Sequence, residues 1–124
     1  MTVRSLDHIQ LAMLPGREAD ARAFYEGILG IPEIAKSAQL AARDGCWFGR
    51  GPLKVHLGVE RDFRPARFAH PAFVVEGIGE LARKIEEAGY RVVDDGPAGG
   101  YKRVYAEDPF GNRIELMEPL DPAG

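Results

Sequence analysis

Four short segments of the chain alternate apolar and polar residues in the way that is typical of half-buried β-strands. Each segment has a potential metal ligand near its centre, and these ligands are His8, His56, His70 and Glu115. Because successive strand side chains point to opposite faces, His56 is predicted on the face opposite its apolar neighbours. The same pattern places Glu115 opposite Ile114 and Leu116. The function of the chain therefore depends on whether these four groups meet.

Two helices are predicted from apolar residues at helical spacing. Residues 17–30 have Ala21, Phe24 and Ile28 on one stripe, and Gly30 supplies a helix stop. Residues 79–89 repeat this arrangement with Leu81, Ile85 and Ala88, and end at Gly89. The helices divide the strand-like segments into two similar sets.

The order of elements repeats, since each half of the chain consists of a strand, a helix and then about three strands. An internal duplication of one βαβββ unit explains this order. We expect an α+β fold of two tandem βαβββ modules, with curved mixed sheets around a concave site. Module one covers residues 1–60, a polar, proline-containing linker covers 61–67, and module two covers 68–120, all within a single domain of residues 1–124.

Composition excludes several classes of protein. A formal charge of −3 and a pI near 5.6 argue against nucleic acid or an anionic membrane as the main partner. No apolar run has the length that is needed to cross a bilayer, and the N-terminus has no signal-peptide pattern. The single cysteine, Cys46, excludes an internal disulfide and indicates a reducing cytoplasm; we expect it to be a small buried residue.

Three motifs resemble those of the vicinal oxygen chelate superfamily, and together they span nearly the whole chain. They are residues 6–9 (LDHI), 24–30 (FYEGILG) and 108–115 (DPFGNRIE). That superfamily includes glyoxalase I, fosfomycin-resistance thiol transferases, extradiol dioxygenases, methylmalonyl-CoA epimerase and bleomycin-binding proteins. In this order and at this spacing the motifs are specific for the fold, but they are weakly specific for any one reaction.

The resemblance implies a divalent metal site. Metal-dependent members take a histidine from the first strand, a histidine from the fifth and a glutamate from the eighth, which here are His8, His70 and Glu115. The fourth strand implies His56, either as a fourth ligand or as a nearby proton shuttle. Glyoxalase I relatives have glutamate or glutamine there, so His56 departs from their pattern. Such a set leaves open positions on Fe, Mn, Ni, Co or Zn for two adjacent substrate oxygens, and Glu115 is also a candidate general base.

Other polar and aromatic residues are weaker candidates for the pocket. Trp47 is one, although core packing is the favoured interpretation for it and for Phe48. Arg103 and Tyr105 share a strand face, and contact with substrate and capping of the sheet are equally plausible for them. A further arginine group either forms an anion-binding rim or, as we favour, a solvated linker; it consists of Arg61, Arg64 and Arg67.

The sequence therefore predicts a metal-dependent enzyme of the glyoxalase or dioxygenase type, a lyase, isomerase or dioxygenase that acts on a small oxygen-rich substrate. The alternative is a metal-free protein that sequesters a small molecule, as bleomycin-resistance proteins do. The family resemblance also implies a homodimer. The substrate, the metal and whether the site lies within one chain or across a dimer interface stay open at this point.

Overall fold

A computed structural model describes residues 1–120. Its elements follow the order that the sequence predicts. Each half of the chain has one strand, then one helical segment, then three strands. The strands are β1 (Ile9–Met13), β2 (Glu33–Ile34), β3 (Cys46–Arg50), β4 (Leu53–Val59), β5 (Ala72–Val74), β6 (Val92–Asp94), β7 (Tyr101–Glu107) and β8 (Arg113–Pro119); the α-helices are α1 (Glu18–Ala21) and α2 (Ile78–Glu87).

The strands form two four-stranded mixed sheets with equivalent topology. Their orders are β1-β4-β3-β2 and β5-β8-β7-β6, with a parallel outer pair and antiparallel pairs elsewhere. The chain correspondingly divides into two compact units, residues 1–64 and the part from Pro65 onward. The predicted α+β fold of two repeated βαβββ modules is confirmed.

The first helical segment differs from the prediction of one α-helix. After the short α1, residues Arg22–Ile28 form a π-helix, in which bonds such as Leu29 N–H to Phe24 O span five residues. The wider turn lets two consecutive aromatic residues, Phe24 and Tyr25, both be fully buried. An apolar stripe at ordinary α-helical spacing does not predict this.

Each sheet buries its apolar residues on one face. In the first unit Val55 and Leu57 are buried, and in the second unit Ile114 and Leu116 are buried. Cys46 is also buried, as predicted, and burial raises the pKa of its thiol to about 11. Among the described residues, no helix has the length and apolar character that a membrane crossing requires.

Two of the four predicted ligands lie just outside the strands that were expected to contain them. His8 directly precedes β1, and His70 lies two residues before β5. Pro71, which has no N–H to donate, separates His70 from the strand. His56 and Glu115 lie within β4 and β8 as predicted.

Candidate functional site in each unit

In the first unit, a carboxylate orients His8. Asp7 Oδ2 accepts a hydrogen bond from His8 Nδ1 at 2.9 Å, and Asp7 Oδ1 accepts one from Lys54 Nζ at 3.2 Å. The hydrogen bond from His8, together with Lys54, lowers the pKa of Asp7. Since Nδ1 carries the donated proton, the lone pair of a neutral His8 ring is on Nε2. This is how histidines that bind metals are usually held.

His56 lies in a stack of three rings. Its ring centroid is 3.9 Å from that of Trp47, with an angle of 2° between the planes, and 4.1 Å from that of His8, with an angle of 20°. Burial lowers the pKa of His56, and the neighbouring His8 lowers it further. A neutral ring keeps one nitrogen lone pair for a proton or a metal. The three rings line a cavity of about 370 Å³.

In the second unit, both nitrogens of His70 have partners. Nδ1 donates a hydrogen bond to the Phe68 carbonyl oxygen at 2.7 Å, and Nε2 lies 3.0 Å from Glu115 Oε1. A carbonyl and a carboxylate only accept hydrogen bonds. Two states therefore fit this geometry: an imidazolium, or a neutral His70 whose Nε2 lone pair and Glu115 Oε1 face a shared cation.

Glu115 also has an arginine as a neighbour. Arg103 Nη1 donates to Glu115 Oε2 at 3.1 Å and to Tyr105 Oη at 3.2 Å, while its Nη2 lies 3.4 Å from Asp95 Oδ2. Burial raises the pKa of Glu115, but hydrogen bonds from His70 and Arg103 outweigh that effect and lower it overall. Glu115 is thus an ionised carboxylate that is 8% exposed. Arg103 Nε is buried without a hydrogen-bond partner among the described residues.

Tyr105 links these groups to another arginine. It lies opposite Glu115 in the β7–β8 register, and its ring meets that of His70 edge to face at 5.1 Å. The Arg113 guanidinium lies 4.0 Å from the centroid of the same ring, a cation–π contact. Arg103 and Tyr105 share a face, as predicted, and they contact each other.

Each unit brings two of the predicted ligands together: His8 with His56 in the first, and His70 with Glu115 in the second. Taken unit by unit, the described residues hold no group of three His, Cys, Asp or Glu side chains for a metal ion.

Trp47 is half-buried against His56, whereas Phe48 is fully buried in the core. Sequence reasoning missed the Arg113 contact; the alternation that pairs residues 113 and 115 on one face was the available signal.

The donor chemistry fits a divalent cation. An imidazole nitrogen and a carboxylate oxygen are donors that divalent transition metals bind, and a metal ion held here would act as a Lewis acid. His70 Nε2 and Glu115 Oε1 supply these two donors. Arg103 hydrogen-bonds the other oxygen of Glu115, so Oε1 is the oxygen that would be a ligand.

Comparison with known proteins agrees with the fold. The family model of the Glyoxalase/Bleomycin resistance protein/Dioxygenase superfamily matches residues 5–116. A glyoxalase family protein from Bacillus anthracis is 44% identical, with a TM-score of 0.86 over 96% of this chain and 98% of that chain. The chain belongs to this superfamily, whose members share the vicinal oxygen chelate fold.

More distant structures share the fold alone. A glyoxalase/dioxygenase from Nostoc punctiforme is 23% identical, with a TM-score of 0.75, and covers 94% of this chain and 91% of its own. The fosfomycin resistance protein FosX from Listeria monocytogenes is 19% identical, with a TM-score of 0.73 and coverages of 96% and 94%. Comparison with curated proteins gave no match.

Proposed function

We propose that the protein is a divalent-metal-dependent enzyme of the glyoxalase or dioxygenase type that acts on a small oxygen-rich molecule. The observation that carries this proposal is the 3.0 Å pair of His70 Nε2 and Glu115 Oε1, with His70 Nδ1 engaged by a backbone carbonyl. We propose His70 and Glu115 as ligands from the second unit and His8 and His56 as the candidates from the first. When bound, the ion supplies Lewis-acid stabilisation of negative charge on a chelated substrate.

The chain's own residues orient the proposed ligands. Asp7 holds Nδ1 of His8, and the Phe68 carbonyl holds Nδ1 of His70. Arg103 fixes Glu115 through Oε2. Neighbours of this kind set the tautomer and the direction of a ligand, and their loss commonly weakens metal affinity by about 10–100-fold.

His56 is the proposed group for proton transfer when it is not a ligand. Its ring is neutral because burial disfavours the imidazolium, so one nitrogen accepts a proton. The ring is held between Trp47 and His8, which limits its rotation. Glu115 is the second candidate base, since its carboxylate is ionised.

A metal-free function is the second candidate, and a specific observation favours it. Glu115 has a cationic partner in Arg103, and a protonated His70 would be another, so the carboxylate is satisfied without a metal. In that case the protein would sequester a small molecule, as the bleomycin-resistance members of its superfamily do. The homodimer and the cytoplasmic location stay predictions.

Elemental analysis distinguishes the metal-dependent enzyme from the metal-free sequestering protein. Untagged protein is purified without chelator and also loaded anaerobically with Fe(II), Mn(II), Ni(II), Co(II) or Zn(II). We expect about one equivalent of one of these metals, lost in His70→Ala and Glu115→Ala but kept in Glu80→Ala, an exposed carboxylate of α2. His8→Ala and His56→Ala then show which first-unit histidine is a ligand. Wild-type protein that binds none of the five metals overturns the metal proposal.

Substrate screening follows the metal result. Diketones and epoxides test for glyoxalase-type and epoxide-opening activity and catechols test for dioxygenase activity, which oxygen uptake separates from the others. Turnover that requires the metal and disappears in Glu115→Ala establishes an enzyme. Saturable binding without turnover or metal supports sequestration instead.

A further inference from the structure

A second cavity, of about 450 Å³, lies entirely within the second unit. Residues 65–67 at the end of the linker, residues in and beside β6, the end of β7 and the start of β8 line it. Its charged and aromatic lining residues are Arg67, Arg91, Arg113, Tyr105, Asp95 and Glu107. The volume is in the range that small-molecule sites occupy.

The three arginines of this cavity form no ion pair with a carboxylate of the described residues. Within residues 1–120, no carboxylate lies within 4 Å of the guanidinium groups of Arg67, Arg91 or Arg113. Of the two carboxylates that line the cavity, Asp95 is already paired with Arg103. The lining carries three arginines against two carboxylates, Asp95 and Glu107, so its formal charge is positive, and such a cavity attracts anions.

Neutral groups hold Arg113 in place. Its guanidinium stacks on Tyr105, and its Nη1 donates a 3.4 Å hydrogen bond to the Arg67 backbone oxygen. Neither contact cancels the positive charge, and N–H groups remain for a ligand. A planar guanidinium that is fixed in this way suits carboxylate and phosphate oxygens, which it can bind in pairs.

The sequence favoured a solvated linker for Arg61, Arg64 and Arg67. The structure separates this group, since Arg61 and Arg64 lie in the first unit and Arg67 lines the cavity in the second. Arg67 is instead grouped with Arg91 and Arg113, which are far from it in sequence. All three linker arginines are exposed, which agrees with the solvated-linker interpretation, and Arg67 in addition lines this cavity.

We propose that this cavity binds the oxyanionic group, a carboxylate or a phosphate, of a small molecule. The inference goes beyond the proposed function and does not rest on it, because no cavity arginine is a proposed metal ligand. Tyr105 lies against both this cavity and His70, so an anion bound here would place the rest of its molecule beside His70 and Glu115.

Nuclear magnetic resonance titration of the full chain tests the proposal. ¹⁵N-labelled, metal-free protein is titrated with sodium phosphate and with sodium acetate, and sodium chloride at equal ionic strength is the reference. We expect saturable shifts at the backbone amides of residues 105–113 with at least one oxyanion, and none with chloride. The two salts distinguish a phosphate ligand from a carboxylate ligand.

Matched arginine variants locate the binding. We expect Arg91→Gln and Arg113→Gln each to raise Kd about tenfold, the usual scale for losing a charge-assisted contact. Arg83→Gln, on the exposed face of α2 and outside the cavity, keeps the wild-type Kd. Arg91 is exposed, so we expect Arg91→Gln to fold. Its Kd therefore tests the proposal even if Arg113→Gln fails to fold.

Two results overturn the proposal: no saturable shift with either oxyanion, or wild-type Kd in both Arg91→Gln and Arg113→Gln. Metal analysis of Arg91→Gln keeps the two proposals separate. We expect this variant to retain the metal content of the wild type, and Glu115→Ala to lose metal while its oxyanion titration remains saturable.

Discussion

Trp47 and His56 lie opposite each other on β3 and β4, with their rings 3.9 Å apart and nearly parallel. Trp47 is the only tryptophan of the chain, so tryptophan fluorescence reports on its surroundings, which include His56. We expect Co(II) or Ni(II) bound at His56 to quench this fluorescence, because an open-shell ion would then lie close to the indole ring. His56→Ala should abolish the quenching. Full metal loading by elemental analysis without quenching would show that His56 is not a ligand.

Arg103 should stabilise the second unit through Glu115. Arg103→Met removes the hydrogen bond to Oε2 and leaves a largely buried carboxylate without its arginine partner, which is destabilising. We expect a lower urea midpoint, and a smaller loss in Arg103→Lys, which keeps the charge. In a double-mutant cycle, Arg103→Met should cost less in the Glu115→Gln background. Equal costs in both backgrounds would mean that the two side chains are not coupled.

Glu118 caps α2 from a neighbouring strand. Its carboxylate accepts hydrogen bonds from Gly77 N at 2.7 Å and Ile78 N at 3.1 Å, and these bonds lower its pKa from the usual 4.5. A lowered pKa in the folded state means that the stabilisation is complete above about pH 4.5 and is lost as the pH falls through the folded-state value. We expect Glu118→Gln to be less stable than the wild type at pH 7, with the difference shrinking in acid. Denaturation curves at several pH values measure the difference in unfolding free energy between the two proteins. A difference that does not change with pH would contradict the capping role of the ionised Glu118.

Cys46 should be unreactive in the native protein. Its thiol is buried and its pKa is about 11, so very little thiolate exists at pH 8. We expect a thiol reagent such as Ellman's reagent to modify Cys46 at the rate of unfolding, and rapidly once guanidinium chloride unfolds the chain. Stoichiometric modification of the folded protein within seconds would show that the thiol is accessible.

Gly45 cannot be replaced without moving a strand. Its φ of +99° is strained for other residues, and an added Cβ would collide with the Leu57 carbonyl oxygen. Gly51, with a φ of +57° and open space around it, is the matched control. We expect Gly51→Ala to cost about 1–2 kcal/mol for the backbone alone, and Gly45→Ala to cost about 4 kcal/mol or more because of the added collision. Urea denaturation of both variants checks this order, and equal losses would rule out the collision.

The sequence predicts most of the fold because the two modules repeat local patterns. Alternation placed Val55, Leu57 and His56 on the correct faces of β4, and helical spacing located α2 to within two residues. These are short-range signals along a strand or a helix. In the π-helix at Arg22–Ile28, Phe24 and Tyr25 are buried together, and such tertiary burial is not visible in local spacing.

The contacts within the candidate site were harder to predict because they cross between strands. Nothing in a single strand shows that Trp47 lies opposite His56, or that Arg103 reaches Glu115 diagonally from β7. These pairs depend on the register that the turns set. Asp7 was predictable as a partner of His8 only because the two residues adjoin.

The equivalent registers of the two sheets have an evolutionary consequence. The pair Trp47 and His56 in β3–β4 occupies the place that Tyr105 and Glu115 occupy in β7–β8. A protein that assembled from two identical half-chains would have to carry the same residue at both places. Once both halves are encoded in one chain, each place can mutate alone, so one copy can present an imidazole nitrogen and the other a carboxylate oxygen.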